Sequence, residues 1–255
     1  MGDQAGSISD IALHNIRLTI NSGEKVAICG RTGSGKSSII ALLLKLLDPL
    51  PETADNATIN DTPLRRIKRD ALRQRIIALS QEAVFLPDGC TFHTNLDPSG
   101  ISNSSDCEAV LVTVGLWKFV LERGGLDAGM SAGTLSAGQR QLMSVGRAVL
   151  RRRNRARSLQ LTDDVSDSGI LLMDEVSSNV DPESERVILD IIKAEFENYT
   201  VIAVSHRLEM IMSFDKVIVM DSGEIVEVGN PAVLAGKVGT RFGDLVRAGA
   251  TVKAS

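Results

Sequence analysis

Aromatic residues are scarce in this 255-residue chain: six Phe, one Tyr and one Trp make up 3%, and none precedes Phe85. Any site in the first 84 residues that needs a flat ring must therefore obtain it elsewhere. Cysteine is almost as rare. Cys29, Cys90 and Cys107 cannot pair completely and lack metal-ligand spacing, which excludes a disulfide scaffold and a zinc site. They read as buried or idle thiols of a reducing compartment. Positive charge holds no surplus, because 28 Lys+Arg face 32 Asp+Glu for a net charge of −4, so nothing draws the chain generally to nucleic acid. Long apolar runs are missing too. The stretch from Ile39 to Leu47 is interrupted by Lys45 and falls far short of the ~20 residues a membrane helix requires. The start, Met1-Gly2-Asp3-Gln4-Ala5-Gly6-Ser7, lacks signal-peptide character, and Gly6 stands where myristoylation needs Ser or Thr.

What remains is an ordinary globular composition, 43% hydrophobic and 24% charged, enough for one α/β domain with an added lobe. Lys25-Val26-Ala27-Ile28-Cys29 reads as a buried strand. A Gly-rich turn follows, then an apolar helix running to Leu47 and stopped by Asp48-Pro49. Ile170-Leu171-Leu172-Met173 reads as a second strand. Asp181-Pro182 then opens a helix whose Ile188, Ile191 and Ile192 share a face, and Val201-Ile202-Ala203-Val204 reads as a third strand. Lys216 to Met220 and Glu224 to Val228 predict a hairpin about Asp221-Ser222-Gly223. Such alternation argues a mostly parallel sheet with helices on both faces. The core is expected over about 1–81 and 169–255, with an inserted helical lobe over about 82–150. Residues 151–168, an arginine block followed by an acidic one, read as a mobile surface loop with Ser158 as a candidate phosphorylation site.

Gly30-Arg31-Thr32-Gly33-Ser34-Gly35-Lys36-Ser37 carries the clearest chemistry. It matches the phosphate loop G-x-x-x-x-G-K-[ST] and lies between a predicted strand and a predicted helix. Glycines let the backbone N–H groups close on a phosphate, and the helix that contains Ser38 points its positive end at the same anion. Lys36 would reach the β- and γ-phosphates, and Ser37 would hold Mg²⁺. The strand ending at Met173 delivers Asp174 as a second magnesium anchor and Glu175 as a general base for water.

These motifs are joined by others, in order, and together they resemble the ATP-binding cassette (ABC) ATPases over about Ile11 to Leu234. Leu135-Ser136-Ala137-Gly138-Gln139 resembles the family signature, usually LSGGQ. Gln81 resembles the Q-loop glutamine, Ser177-Ser178-Asn179-Val180-Asp181 the D-loop, and His206 the switch histidine. The resemblance implies a P-loop NTPase (RecA-like) core with an antiparallel β-subdomain and a helical subdomain, forming a single nucleotide-binding domain over 1–255. It implies ATP and Mg²⁺ as ligands, with Gln81 contacting metal and water and His206 holding the γ-phosphate. The signature would face a second cassette's nucleotide in a head-to-tail dimer, and transmembrane domains would dock near Gln81 to Phe92. The setting implied is the cytoplasmic face of a membrane transporter.

Thr91-Phe92-His93-Thr94-Asn95-Leu96-Asp97-Pro98 further resembles the SNLDP segment in the second cassette of ABCC (multidrug-resistance-associated) exporters. That subfamily pairs a catalytic glutamate, here Glu175, with an altered signature, here Ala137, so this chain's LSAGQ would close a degenerate site. Cassettes of this family stack adenine on an aromatic residue upstream of the phosphate loop. With no ring before Phe85, either adenine is held by weaker apolar contacts or the stacking residue lies upstream of Met1 in a parent protein. The second is favoured because Ile11 to Ile16 resembles the strand that follows the aromatic loop, and this segment is then expected to bind ATP weakly. The alternatives are a nucleotide-gated module of an ABCC-type channel regulator and a soluble ABC ATPase without a transport role.

Overall fold

Alternation within the strands explains the layering. In β1 (Lys25–Gly30), Val26 and Ile28 face one way and Ala27 and Cys29 the other, and all four are buried. A strand apolar on both sides needs cover on both sides. The computed structural model describes residues 11–158, 167–176 and 180–253. In it β1 lies within a six-stranded sheet with β4 (Ile76–Leu79), β5 (Ile170–Asp174), β6 (Thr200–Val204), β7 (Lys216–Asp221) and β8 (Glu224–Gly229). The order is β4-β5-β6-β1-β7-β8, parallel except for β8, which returns antiparallel from the predicted hairpin. Two further strands, β2 (Thr58–Ile59) and β3 (Thr62–Pro63), form a small antiparallel ribbon.

One sheet face is covered by α1 (Lys36–Leu43) and α2 (Arg69–Arg75), through Ile39, Ile40 and Leu72. The other is covered by α6 (Ala137–Ser158) and α7 (Pro182–Glu195). The inserted lobe consists of α3 (Phe92–Leu96), α4 (Ser104–Thr113) and α5 (Trp117–Leu121), packed on α6. Gly146 makes that packing close: a Cβ there would lie 3.1 Å from Leu96 Cδ1. Short helices α8 (Leu208–Met212) and α9 (Pro231–Gly236), then α10 (Arg241–Lys253), complete the chain.

Three expectations are corrected. The helix after the phosphate loop ends at Leu43 rather than Leu47. Lys45 adopts φ 56°, and the N–H groups of Lys45 and Leu46 bond back to Leu42 and Ala41 at 3.0 and 2.8 Å, a Schellman closure that ends the helix before Asp48-Pro49. The arginine block is not loop. Helix α6 continues through Ser158, because its arginines find partners: Arg152 and Arg153 grip Glu195 at 3.0 and 2.6 Å, and Arg157 meets Asp106 at 2.8 Å. The remaining part of that expected loop, 159–166, lies outside the described residues. Ile11 to Ile16 forms no strand, since Asn15 at φ 48° interrupts the extended run. There the His14 N–H bonds to Gly223 O, at the β7–β8 turn, at 2.8 Å. Residues 1–10 lie outside the described residues. Among the described residues, no helix is long and apolar enough to cross a membrane.

Candidate active site

Register sets the site. Ile28 pairs with Val204, and Asp174 with Val204 from the other side, so β1, β5 and β6 end together at one sheet edge. Gly30, Glu175 and Ser205 follow at that edge, where loops of a parallel sheet bind ligands. Gly30 must be glycine: its φ is 147°, and a Cβ would stand 2.2 Å from the Met220 carbonyl on β7. Gly33 and Gly35 also take positive φ, 82° and 95°, turning the loop into the start of α1. A cavity of about 270 Å³ opens there, lined by Ala12, Thr32, Gly33, Gly35, Lys36, Ser37, Ser38 and Glu175. Arg31 is exposed beside it.

Lys36 is buried, and its Nζ donates to the carbonyls of Gly30 and Arg31, each at 2.9 Å. The Ser34 hydroxyl is buried without a partner. Ser37 Oγ donates to Asp174 Oδ1 at 3.3 Å. Burial pushes the Asp174 carboxyl above its ordinary range, and the charge of Glu175 pushes it further; the Ser37 bond and Lys36 only partly offset this. A desolvated carboxylate beside a hydroxyl is a hard-oxygen pair that suits Mg²⁺, which usually takes one or two protein oxygens and fills its shell with phosphate and water. Among the described residues no cluster of three or more His, Cys, Asp or Glu side chains could hold an ion alone.

Glu175 stands at φ 48°, a strained setting for a non-glycine residue, with its N–H bonded to Val204 O at 3.0 Å. That turn aims the carboxylate across to His206, whose Nε2 lies 2.9 Å from Glu175 Oε1. Predicted residues from three separate segments therefore converge: the phosphate loop, Asp174 with Glu175, and His206. The other motif residues stand apart. Gln81 is exposed and does not line the cavity, nor does any of Leu135, Ser136, Ala137, Gly138 or Gln139. The Ser136 and Gln139 side chains instead cap α6 reciprocally, at 3.1 and 2.9 Å. Asp181 caps α7 by accepting from Ser184 N–H at 2.9 Å, and Ser177, Ser178 and Asn179 lie outside the described residues.

Two contributors escaped the sequence reading. Ala12 reaches the cavity from a distant segment, and nothing local marks it. Gln141 is buried on α6 and donates to the carbonyls of Ser80 and Gln81, both at 3.3 Å, tying the Gln81 loop to the helix that follows the signature. A polar residue on the apolar face of a helical pattern was a readable signal for it. Two of the cysteines are poor nucleophiles: burial pushes the Cys29 thiol up to about 12 and the Cys107 thiol up to about 11.

A family model described as ABC transporter matches residues 13–164. The chain is 63% identical over 235 residues to the ABC-type transporter braE of Annulohypoxylon truncatum, covering 92% of this chain and 16% of that protein. It is 48% identical over 237 residues to the ABC transporter FGM5 of Gibberella zeae, with the same 92% and 16% coverage. The chain thus spans about a sixth of the length of these curated relatives. Among solved structures, a bacterial Atm1-family ABC exporter with ATP bound superposes with a TM-score of 0.78 at 25% identity, over 96% of this chain and 40% of that one.

Proposed function

Because the chain belongs to the ABC transporter family, we propose that it is an ATP-binding and ATP-hydrolysing cassette powering export by a longer transporter. The observation that carries this reading is Glu175: it lines the phosphate-loop cavity, follows Asp174 and is hydrogen-bonded to His206. Loop amides and Lys36 would hold the phosphates. Ser37 and Asp174, with Gln81 reaching in, would hold Mg²⁺, which supplies charge neutralisation of the phosphates when bound. Glu175 accepts a proton from the water that attacks the γ-phosphorus, and His206 donates a hydrogen bond to the γ-phosphate as charge builds. The products are ADP and inorganic phosphate.

The signature turn, capped apart from the phosphate-loop cavity and exposing Ser136, supports a shared site, in which Leu135 to Gln139 serve the nucleotide of a second cassette packed head to tail. Transmembrane domains of the same transporter would dock near Gln81 to Phe92, at the cytoplasmic face of the membrane. The Thr91 to Pro98 segment and Ala137 support assignment to the second cassette of an ABCC-type exporter.

The test is steady-state ATP hydrolysis by the chain mixed with its partner cassette, compared with Glu175→Gln. The variant is expected to lose at least about 100-fold in kcat while retaining ATP binding and accumulating as an ATP-bound dimer. A variant that turns over as fast as the wild type overturns the catalytic reading, and a wild type that binds ATP but barely turns over points to a nucleotide-gated regulatory module.

A further inference from the structure

The segment carrying His206 is held from both sides, and one of its anchors lies outside every motif described above. On one side Ser205 N–H bonds to Ile28 O at 3.1 Å, fixing the segment to the strand that feeds the phosphate loop. On the other, Arg207 N–H bonds to Ser205 Oγ at 3.0 Å, and its side chain reaches into α7. There Nη1 donates to Glu185 Oε2 at 3.1 Å and Nη2 donates to Val180 O at 2.8 Å. Glu185 is only 3% exposed, on the first turns of α7, where a carboxylate without a cation would be costly.

That helix start also meets the signature. A Cβ on Gly138 would stand 2.4 Å from Ser184 Oγ and 3.0 Å from Asp181 Oδ2, so the beginning of α6 packs directly on the α7 cap. Asp181 in turn holds Ser184 through both its N–H, at 2.9 Å, and its hydroxyl, at 2.8 Å. The start of α7 is therefore a junction between the His206 segment and the helix that presents Ser136 to Gln139.

We propose that Glu185 and Arg207 are positioning residues for hydrolysis: their ion pair, with Glu185 buried and Arg207 half-buried, locks the His206 segment onto the α7 start, so that the imidazole facing Glu175 and the signature turn move as one body. The proposal rests on the ATPase reading above. It makes a shift of α7 in one chain felt both at that chain's Glu175–His206 pair and at the face it offers to a second nucleotide. Neither Glu185 nor Arg207 touches the cavity, so their effect passes through His206.

The experiment measures ATP hydrolysis by the full-length transporter carrying this chain, for the wild type, Glu185→Gln, Arg207→Met, the double variant and Glu175→Gln. Misplacement of a catalytic group costs about 10- to 100-fold, so each single variant is expected to lower kcat by that range with KM for ATP nearly unchanged. The double variant should be no slower than the slower single one, as for two halves of one device. Glu185→Gln keeps the side-chain volume, and thermal unfolding is followed in parallel to show that it folds. Wild-type kcat in both single variants, losses that multiply in the double variant, or a rise in KM at constant kcat would overturn the proposal. Turnover in Glu175→Gln as fast as in the wild type removes the catalytic reading of Glu175 on which this proposal rests; its loss there, with kcat kept in the other variants, removes only this one.

Discussion

Gly30 shows how much one position can decide. Its φ of 147° and the Met220 carbonyl 2.2 Å from its missing Cβ leave no space for a side chain, because the obstacle is strand backbone that cannot swing aside. Gly30→Ala is expected to lower unfolding stability by at least about 2 kcal/mol, read as a fall in the denaturant midpoint with an unchanged slope. The phosphate-loop spacing already marked this glycine, since the motif is local. The φ of 48° at Glu175 had no such marker. It arises where β5 leaves the sheet and its next N–H is captured by Val204, a partner about thirty positions away along the chain. Glu175 was legible as a residue type after a strand, whereas its alignment with His206 was not.

At the scale of elements, α6 departs most from expectation. Its first half has the apolar periodicity of a core helix, with Leu142, Met143, Val145 and Val149 buried. Its second half reads along the chain as unpackable charge. Folded, that charge is a row of arginines whose stems lie on the protein and whose heads find Glu195 on α7, Asp106 on α4 and Tyr199 after α7. Glu195 alone serves two of them at 2.6 and 3.0 Å, and its side chain is 14% exposed. Replacing it with Gln is expected to cost about 1 kcal/mol, more than an isolated exposed pair. Hydrogen exchange over residues 150–158 is expected to quicken, which mass spectrometry can follow. A loop assigned from composition becomes a helix because its partners lie some 40 to 50 residues away.

Across the whole molecule, the inserted lobe depends on Asp97 at the turn between α3 and α4. This buried carboxylate accepts from Ser99 N–H at 3.1 Å, Ser99 Oγ at 2.5 Å and Ser102 N–H at 2.6 Å. Burial pushes its pKa up, but these hydrogen bonds outweigh burial and hold it below the ordinary 3.8. A carboxyl depressed in the folded state adds stability above its unfolded value and loses it as pH falls through the folded one. Asp97→Asn is therefore expected to cost about 2 kcal/mol near pH 7, a difference that shrinks below about pH 4 in urea titrations at stepped pH. The same turn explains physically why an aspartate stands at position 97 in the segment from Thr91 to Pro98. Five of the six strands of the main sheet, the phosphate loop, the α7 cap and the hairpin at Ser222 were readable along the chain, because each depends on neighbours within a few residues, whereas β4 was not. The convergence of Ser37 with Asp174, Glu175 with His206, and Glu185 with Arg207 was decided only by the fold. Those pairs are 137, 31 and 22 residues apart, and sheet order and helix packing, not local preference, bring them within hydrogen-bond reach.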